Sequence, residues 1–554
     1  MACVRASDES LTSFELPHSH RPPWETYLPP ISGRSTWINP FSWPRRFFEK
    51  KLIAKEWENS PRATTRFQTA DQNGDINFLL NTEEEWASNK FHIDAVLDIF
   101  CGQTLLELES PVASIPDDRK TALVIDGNTN NPAGPHLRPF AGGLTSQELL
   151  RELRKKRYEE LSSDNKRESD HGAKDDAERR LIFVENLDSW GILALAGSAP
   201  ESLSHALGDL ISNHICSKSS IRVSFSTSGP PIFALHFDIP YRVWRSSRSL
   251  KIDGRCKRSL QEPLRSSRDV TFLRQRVHEA DIGHVDGIYA SQISCLVTGH
   301  DNWRWTALAF AETWFEEASS FDPTPDMVTR YEQDFEDGFL TDPLCRGRYD
   351  VAQNGWDPRG YFVRVLEIRL VQVCREWASV VSNLESGLRT LATTHKQTLK
   401  MMQDTSKHTK LTSIQMDEIL QNFGDTQERV GNAKGLLDDI SLDLQETVRS
   451  GDSFMGTDVN YFLHNDGSTE DVLDCLPHLS QIRGMFNDLR HMQQRLGDWK
   501  QKYKEMLEDG FSARKTLLVQ ILRSERSLSP QYLLQFYAKS NEQVNWPQSL
   551  CVQQ

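Results

Sequence analysis

The sequence predicts an α+β or α/β fold, a mixed sheet-and-helix domain followed by a long-helix stalk or bundle. Three observations predict it. Between residues 120 and 310, short apolar runs of strand length alternate with helical stretches, the pattern of a layered sheet domain. Beyond Pro323 the apolar residues step by three and four instead, as on one face of a helix. The composition agrees: 554 residues with 38% hydrophobic, 9% aromatic and 26% charged positions lie near globular averages, which excludes a collagenous or wholly disordered chain.

The elements follow in order. Residues 1–60 are rich in Pro and aromatics, such as Trp43-Pro44-Arg45-Arg46-Phe47-Phe48, and read as an extended arm that packs by its rings. Residues 61–322 form the α/β domain. Within it, apolar spacing from Phe78 to Leu106, with Ile93, Val96, Leu97 and Ile99, predicts a short amphipathic helix. Three polar segments, near 110–136, 151–180 and 246–268, read as disordered insertions; the first carries a strand-like Leu123-Val124-Ile125, and the second reads as a solvated helix that frays into a loop. Leu181-Ile182-Phe183-Val184 reads as a buried strand, Glu185-Asn186-Leu187-Asp188 as a turn, and the stretches through Leu193 and Leu207 as helices. Ile221–Phe225 and Ile232–Phe237 are further strands. From Ile288 to Phe315 the pattern predicts a strand leading into a buried helix, with Trp303, Trp305 and Trp314 as core residues rather than a ligand cage.

Residues 323–554 form the stalk or bundle. Leu370, Val373, Trp377, Val380 and Leu384 make one seam; Met416, Ile419 and Phe423 make a second; Leu479, Ile482, Phe486 and Leu489, continued by Leu496, Trp499, Tyr503 and Met506, make a third. Gly387 and Gly424 interrupt the seams, and Gly451 to Gly467 reads as a hinge loop, so the chain is expected to fold back on itself as a hairpin or bundle.

Charge and cysteine usage bound the setting. The balance of 64 Lys plus Arg against 78 Asp plus Glu gives a net charge of −14, which argues against a chain-wide nucleic-acid surface. Nine scattered cysteines with no Cys-x-x-Cys pair fit a reducing compartment. The N-terminal segment has the apolar core of no secretory signal, and no stretch reaches the roughly 18 apolar residues a membrane span needs. A cytoplasmic chain is expected, with membrane association through a partner as the alternative.

Motifs of chemistry are sparse. The sequence lacks Gly-x-x-x-x-Gly-Lys-Ser/Thr, Gly-x-Gly-x-x-Gly, His-Glu-x-x-His and Gly-x-Ser-x-Gly, so no catalytic or cofactor-binding residue is assigned and no enzyme is expected. Asp71-Gln72-Asn73-Gly74-Asp75-Ile76-Asn77 imitates a calcium loop, but Ile76 stands where the turn needs Gly and Thr82 where a bidentate Glu should close the site. His278, Glu279, Asp281, His284, Asp286 and His300 offer metal-ligand chemistry at irregular spacing, which reads more simply as exposed polar residues; the metal assignment stays unknown. The basic run with Arg248, Lys251, Arg255, Lys257 and Arg258 reads as a solvated loop, since no aromatics interleave for stacking on bases.

Four ordered segments resemble the fungal CorA-like proteins, which look like relatives in fold of the CorA divalent-cation channels. They are Arg180–Asp188, Phe233–Tyr241, Gln292–Gly299 with Trp303 and Trp305, and Asp357–Phe362 with Glu376-Trp377. The resemblance implies an α/β cytosolic domain feeding long stalk helices, which in transporting relatives continue into two membrane helices joined by a Gly-Met-Asn loop. Here Gly484-Met485-Phe486-Asn487 carries an inserted Phe and sits between Arg483 and Asp488 in a charged amphipathic helix, so it follows no apolar span. The expected function is that of a soluble module for assembly or regulation, through a protein partner or self-association of the long helices. A divalent-cation transporter whose membrane helices are missing from this chain is the alternative. No cofactor is expected, and Mg2+ enters only through the resemblance.

Overall fold

The apolar runs of the first half become strands because both faces of one sheet are buried, which favours continuous hydrophobic segments over strict alternation. In the computed structural model the described residues are 42–49, 95–99, 103–110, 119–128, 136–158, 176–226, 231–274, 283–316, 326–352, 357–407, 413–463 and 469–524. After a one-turn helix α1 (Leu105–Glu109) the chain runs β1 (Ala122–Asn128), β2 (His136–Leu137), α2 (Ser146–Leu153), β3 (Arg179–Glu185), α3 (Ser189–Ser198), α4 (Glu201–Ile215), β4 (Ser220–Phe225), β5 (Phe233–Ser247), β6 (Ser267–Asp269), β7 (Val285–Gly299) and β8 (Trp305–Ala311). Together they make an eight-stranded sheet of order β2-β1-β3-β8-β7-β5-β4, with β6 paired to β7. Only β3 and β8 run parallel among these neighbours; the other pairs are antiparallel. The α+β reading therefore holds.

Period two then sorts the side chains. On β5, Phe233, Leu235, Phe237, Ile239, Tyr241 and Val243 enter one core, joined from β7 by Ile293, Cys295 and Val297. The opposite face holds Ile182, Val184, Leu296, Leu308 and Phe310 and is covered by α1 to α4. Thr104 and Thr145 start α1 and α2 with capping boxes through Glu107 and Glu148, and Asp188 caps α3 by accepting from Gly191 N–H at 2.7 Å. Asn186, in the turn before that cap, takes a left-handed φ of 52° and its Oδ1 accepts from Thr313 and Trp314 N–H, which ties the turn to the end of β8.

After α5 (Met327–Glu336) come three long helices: α6 (Pro358–Lys407), α7 (Ser413–Ser453) and, beyond a π-helical turn Phe454–Asp458 and the short α8 (Asn460–Leu463), α9 (Thr469–Ser524). The seam of Leu370, Val373, Trp377, Val380 and Leu384 is fully buried, and α6, α7 and α9 pack against one another as the folded-back bundle the periodicity predicts. α6 and α7 also lie on β5, where Arg242 Nε donates to Asp443 Oδ2 at 2.5 Å and Thr447 Oγ1 to the Pro240 carbonyl at 3.2 Å. One hydrophobic cluster is therefore continuous from the sheet into the bundle. The outer edge of β4 is met by the π-helical turn, whose Asp458 accepts from Val223 N–H at 2.9 Å.

Several expectations are corrected. Residues 110–136 contain β1, an inner strand buried at every position, so they are not simply an insertion. Arg179 and Arg180 belong to buried β3 instead of a solvated helix, because each guanidinium has buried oxygen partners. The 246–268 segment is ordered and sends Arg255 and Arg265 inward. The predicted helix after β7 is β8; its Leu308 and Phe310 face one core and Trp305, Ala307 and Ala309 the other, and burial on both faces hid the strand period. Trp305 is fully buried as expected, whereas Trp303 and Trp314 are half-buried. Gly424 does not break α7, and the hinge expected from Gly451 onward is helical through residue 463. Of the arm, Trp43 and Phe47 are fully buried, with ring centroids 5.2 and 5.4 Å from that of Phe233; its other segments, most of the helix expected at 78–106 and the calcium-like loop lie outside the described residues.

Candidate functional site

Polar groups concentrate in two places around α4. The first is sealed between α4 and the sheet. Glu312, just past β8, has no exposed side chain; its Oε1 accepts from Arg255 Nη2 at 2.8 Å and Arg265 Nε at 2.9 Å, and its Oε2 from Gln292 N–H at 2.7 Å. Burial alone would raise the Glu312 carboxyl, but the Arg265 and Arg255 guanidiniums prevail and hold it down at about 2. Arg265 also closes the C-terminus of α4 by donating to the His214 and Ile215 carbonyls at 2.6 and 3.0 Å. His214 lies 3.6 Å from Glu312, and burial pushes its imidazole down to about 3, so the ring is neutral and its Nδ1 contacts Ser294 Oγ at 3.0 Å. Beside it Asp238 is buried with Asn213 and Ser294 as hydrogen-bond partners, and burial pushes its carboxyl up to about 7. These groups partner one another away from solvent, although His214 Nε2 and Asp238 Oδ1 are left without a hydrogen bond. Their chemistry is structural: they fasten the 250–265 segment and α4 to the sheet.

The second place is open. Two adjoining crevices run between α2, the start of α4 and the N-terminal end of β8, sharing Arg157, Pro200, Leu203 and Thr306 in their linings. The larger is walled by Leu195, Leu207 and Leu308 and by Arg154, Lys155, Arg157 and Arg180; the smaller adds His300 and Arg304. Arg157 is fixed in place: its guanidinium donates to the Ala177, Glu178 and Trp305 carbonyls at 2.6, 2.7 and 2.7 Å and to Thr306 Oγ1 at 2.8 Å. Arg180 makes a two-pronged pair with Asp126 at 2.8 Å on each prong, and Arg154 pairs with Glu109 at 2.7 Å. α4 begins at this crevice with Pro200 at its N-cap and no side chain capping it.

No protein-family model and no curated protein matches the chain. Among solved structures it is similar to the cytoplasmic domain of ZntB from Vibrio parahaemolyticus RIMD 2210633, over 72% of this chain and 99% of that one, with 7% sequence identity and a TM-score of 0.30.

The six residues with metal-ligand chemistry do not converge. His278, Glu279 and Asp281 lie outside the described residues, His284 is exposed, and Asp286 accepts from Arg274 Nη2 at 2.8 Å. His300 follows the far end of β7, roughly 45 Å of strand away from Asp286. Among the described residues no group of three or more His, Cys, Asp or Glu side chains is placed to hold a metal ion. Sequence reasoning missed both polar centres. Arg154, Lys155 and Arg157 stood in a mixed-charge run read as solvated, and Arg255 in a basic loop; in neither case does local spacing reveal a partner 50 or more residues away. The one available signal was that Arg179-Arg180 adjoins an apolar run that must enter a sheet.

Proposed function

We propose that the chain is a soluble, non-enzymatic CorA-like module of the cytoplasm that works in assembly or regulation, presenting its helical bundle to a protein partner or to another copy. The observation that carries this reading is the course of α6, whose N-terminal half lies on the sheet while its later turns pack with α7 and α9. That is the arrangement the four CorA-like segments imply, a sheet domain feeding stalk helices. No helix among the described residues is long and apolar enough to cross a membrane. Gly484 to Asn487 lie inside α9, within its first 20 residues, with Phe486 buried and Asn487 exposed, as in an ordinary amphipathic helix.

Fractionation of native cells tests the reading. The intact chain is expected in a high-speed supernatant without detergent, and any membrane-bound fraction is expected to be released by an alkaline carbonate wash. Recovery only after detergent extraction would favour the transporter alternative and overturn the proposal.

A further inference from the structure

Between α5 and α6 the chain makes a tight hairpin. Thr341 bridges Asp350, the Val351 and Asp342 N–H groups donate to the Leu340 and Tyr349 carbonyls at 2.7 and 2.8 Å, and Arg346 and Gly347 N–H close the turn on the Pro343 and Asp342 carbonyls. Asp342 is buried at its base, where its carboxylate accepts from Leu344 N–H and from the Tyr361 hydroxyl, both at 2.9 Å. From Asp342 to Asp350, the side chains left exposed are Arg346, Arg348 and Tyr349. Neither of these two guanidiniums has a hydrogen-bond or ion-pair partner among the described residues. We propose that this turn is a docking site for an acidic peptide segment of a partner protein, with Arg346 and Arg348 taking its carboxylates and Tyr349 packing against it.

Backbone, charge and composition converge on that partner. Arg346 holds a left-handed φ of 55° and Gly347 follows at 69°; glycine takes this conformation freely, whereas an arginine there stores strain that folding alone gives no reason to keep. Positive charge also lies beneath the turn. Arg369 is fully buried, and its guanidinium donates to the Pro343 and Leu344 carbonyls at 2.6 and 2.8 Å and to Gln372 Oε1 at 3.2 Å, none of which is a carboxylate. Burial and the guanidiniums of Arg369 and Arg348 push Arg346 down from its ordinary range, a repulsion that a bound carboxylate would relieve. Arg364 lies 4.8 Å over the Tyr349 ring, and Phe339, 65% exposed, stands on the strand that enters the turn. Arg, Tyr and Phe are the residue types enriched in protein interfaces. Two exposed cations match the carboxylates of a short motif, whereas a chain of net charge −14 would repel a long nucleic acid elsewhere on its surface. The inference rests on no part of the role proposed above for the bundle.

Panning a phage-displayed library of short random peptides against the full chain tests it, followed by fluorescence anisotropy with the labelled consensus peptide. Acidic peptides are expected to be enriched, and the double variant Arg346→Gly with Arg348→Gln to weaken the consensus peptide by at least about tenfold. Because glycine suits a φ of 55°, this variant should keep a thermal midpoint no lower than that of the wild type. Lys500→Gln, on the bundle, should leave binding as it was. Should the double variant fail to fold, Arg348→Gln alone, at an exposed side chain, provides the same comparison. No enrichment, a consensus without Asp or Glu, equal binding by wild type and variant, equal weakening by Lys500→Gln, or tighter binding of a labelled oligothymidine at the same residues would overturn the proposal.

Discussion

Asp238 and Glu312 are buried on the same side of the sheet and respond to acid in opposite senses. Glu312 is held at about 2 in the fold, below its ordinary 4.5, so its pairing stabilises the protein above the ordinary carboxylate range and is lost as pH falls from there toward 2. Asp238 is pushed up from 3.8 to about 7, so the folded state keeps a proton that the unfolded chain releases, and stability declines as pH rises across that interval. Asp238→Asn removes this titration and keeps an acceptor for Asn213. The variant is expected to gain on the order of 3–4 kcal/mol relative to the wild type above pH 7 and nothing below pH 4, read by denaturant unfolding at several pH values. An equal gain at pH 4 would show that the carboxyl is not the cause. Neither residue is conspicuous in the sequence: Asp238 interrupts an apolar strand and Glu312 follows one, and their partners lie 25 and 47 residues away.

Among the elements, helix periodicity was the most legible feature and glycine the least. The three seams of α6, α7 and α9 could be read directly, since a repeating apolar face must be covered. Gly387 was expected to interrupt a seam and Gly451 to open a hinge loop, and both instead mark close contacts. A methyl group on Gly387 would lie 2.7 Å from the Leu273 side chain, and one on Gly451 would lie 2.3 Å from the Phe486 ring. Gly484 has nothing within 4 Å of the same position. Gly451→Ala is therefore expected to destabilise by about 1–3 kcal/mol through overpacking, and Gly484→Ala to stabilise by up to about 1 kcal/mol through helix propensity. Thermal and chemical denaturation measure both, and a gain at Gly451 would mean that α7 and α9 have room to separate. Sequence alone cannot tell a glycine that breaks a helix from one that lets another helix approach, because the distinction lies in the neighbour.

For the whole molecule, the sequence showed a sheet domain and a helical domain but not that they share a core. The seam around Trp377 has no exposed side chain within a single chain, so the bundle needs no second copy to cover it. Trp377→Asp would place a charge there and is expected to cost at least the roughly 3–5 kcal/mol of truncating a buried Trp, measured as loss of cooperative unfolding. Light scattering is expected to find a monomeric wild type. A discrete wild-type oligomer that this variant converts to folded monomers would make the seam an assembly interface.

α6 has a mechanical consequence. Its 50 residues make a rod roughly 75 Å long, with Phe362 and Leu366 set among the strands' side chains and Met402 in a separate apolar cluster with Phe423 and Leu517. A rod held at one end is a lever. A tilt of a few degrees where α6 meets β5 would swing its far end by several ångströms, so the bundle tip magnifies whatever small shift a ligand or partner produces in the sheet.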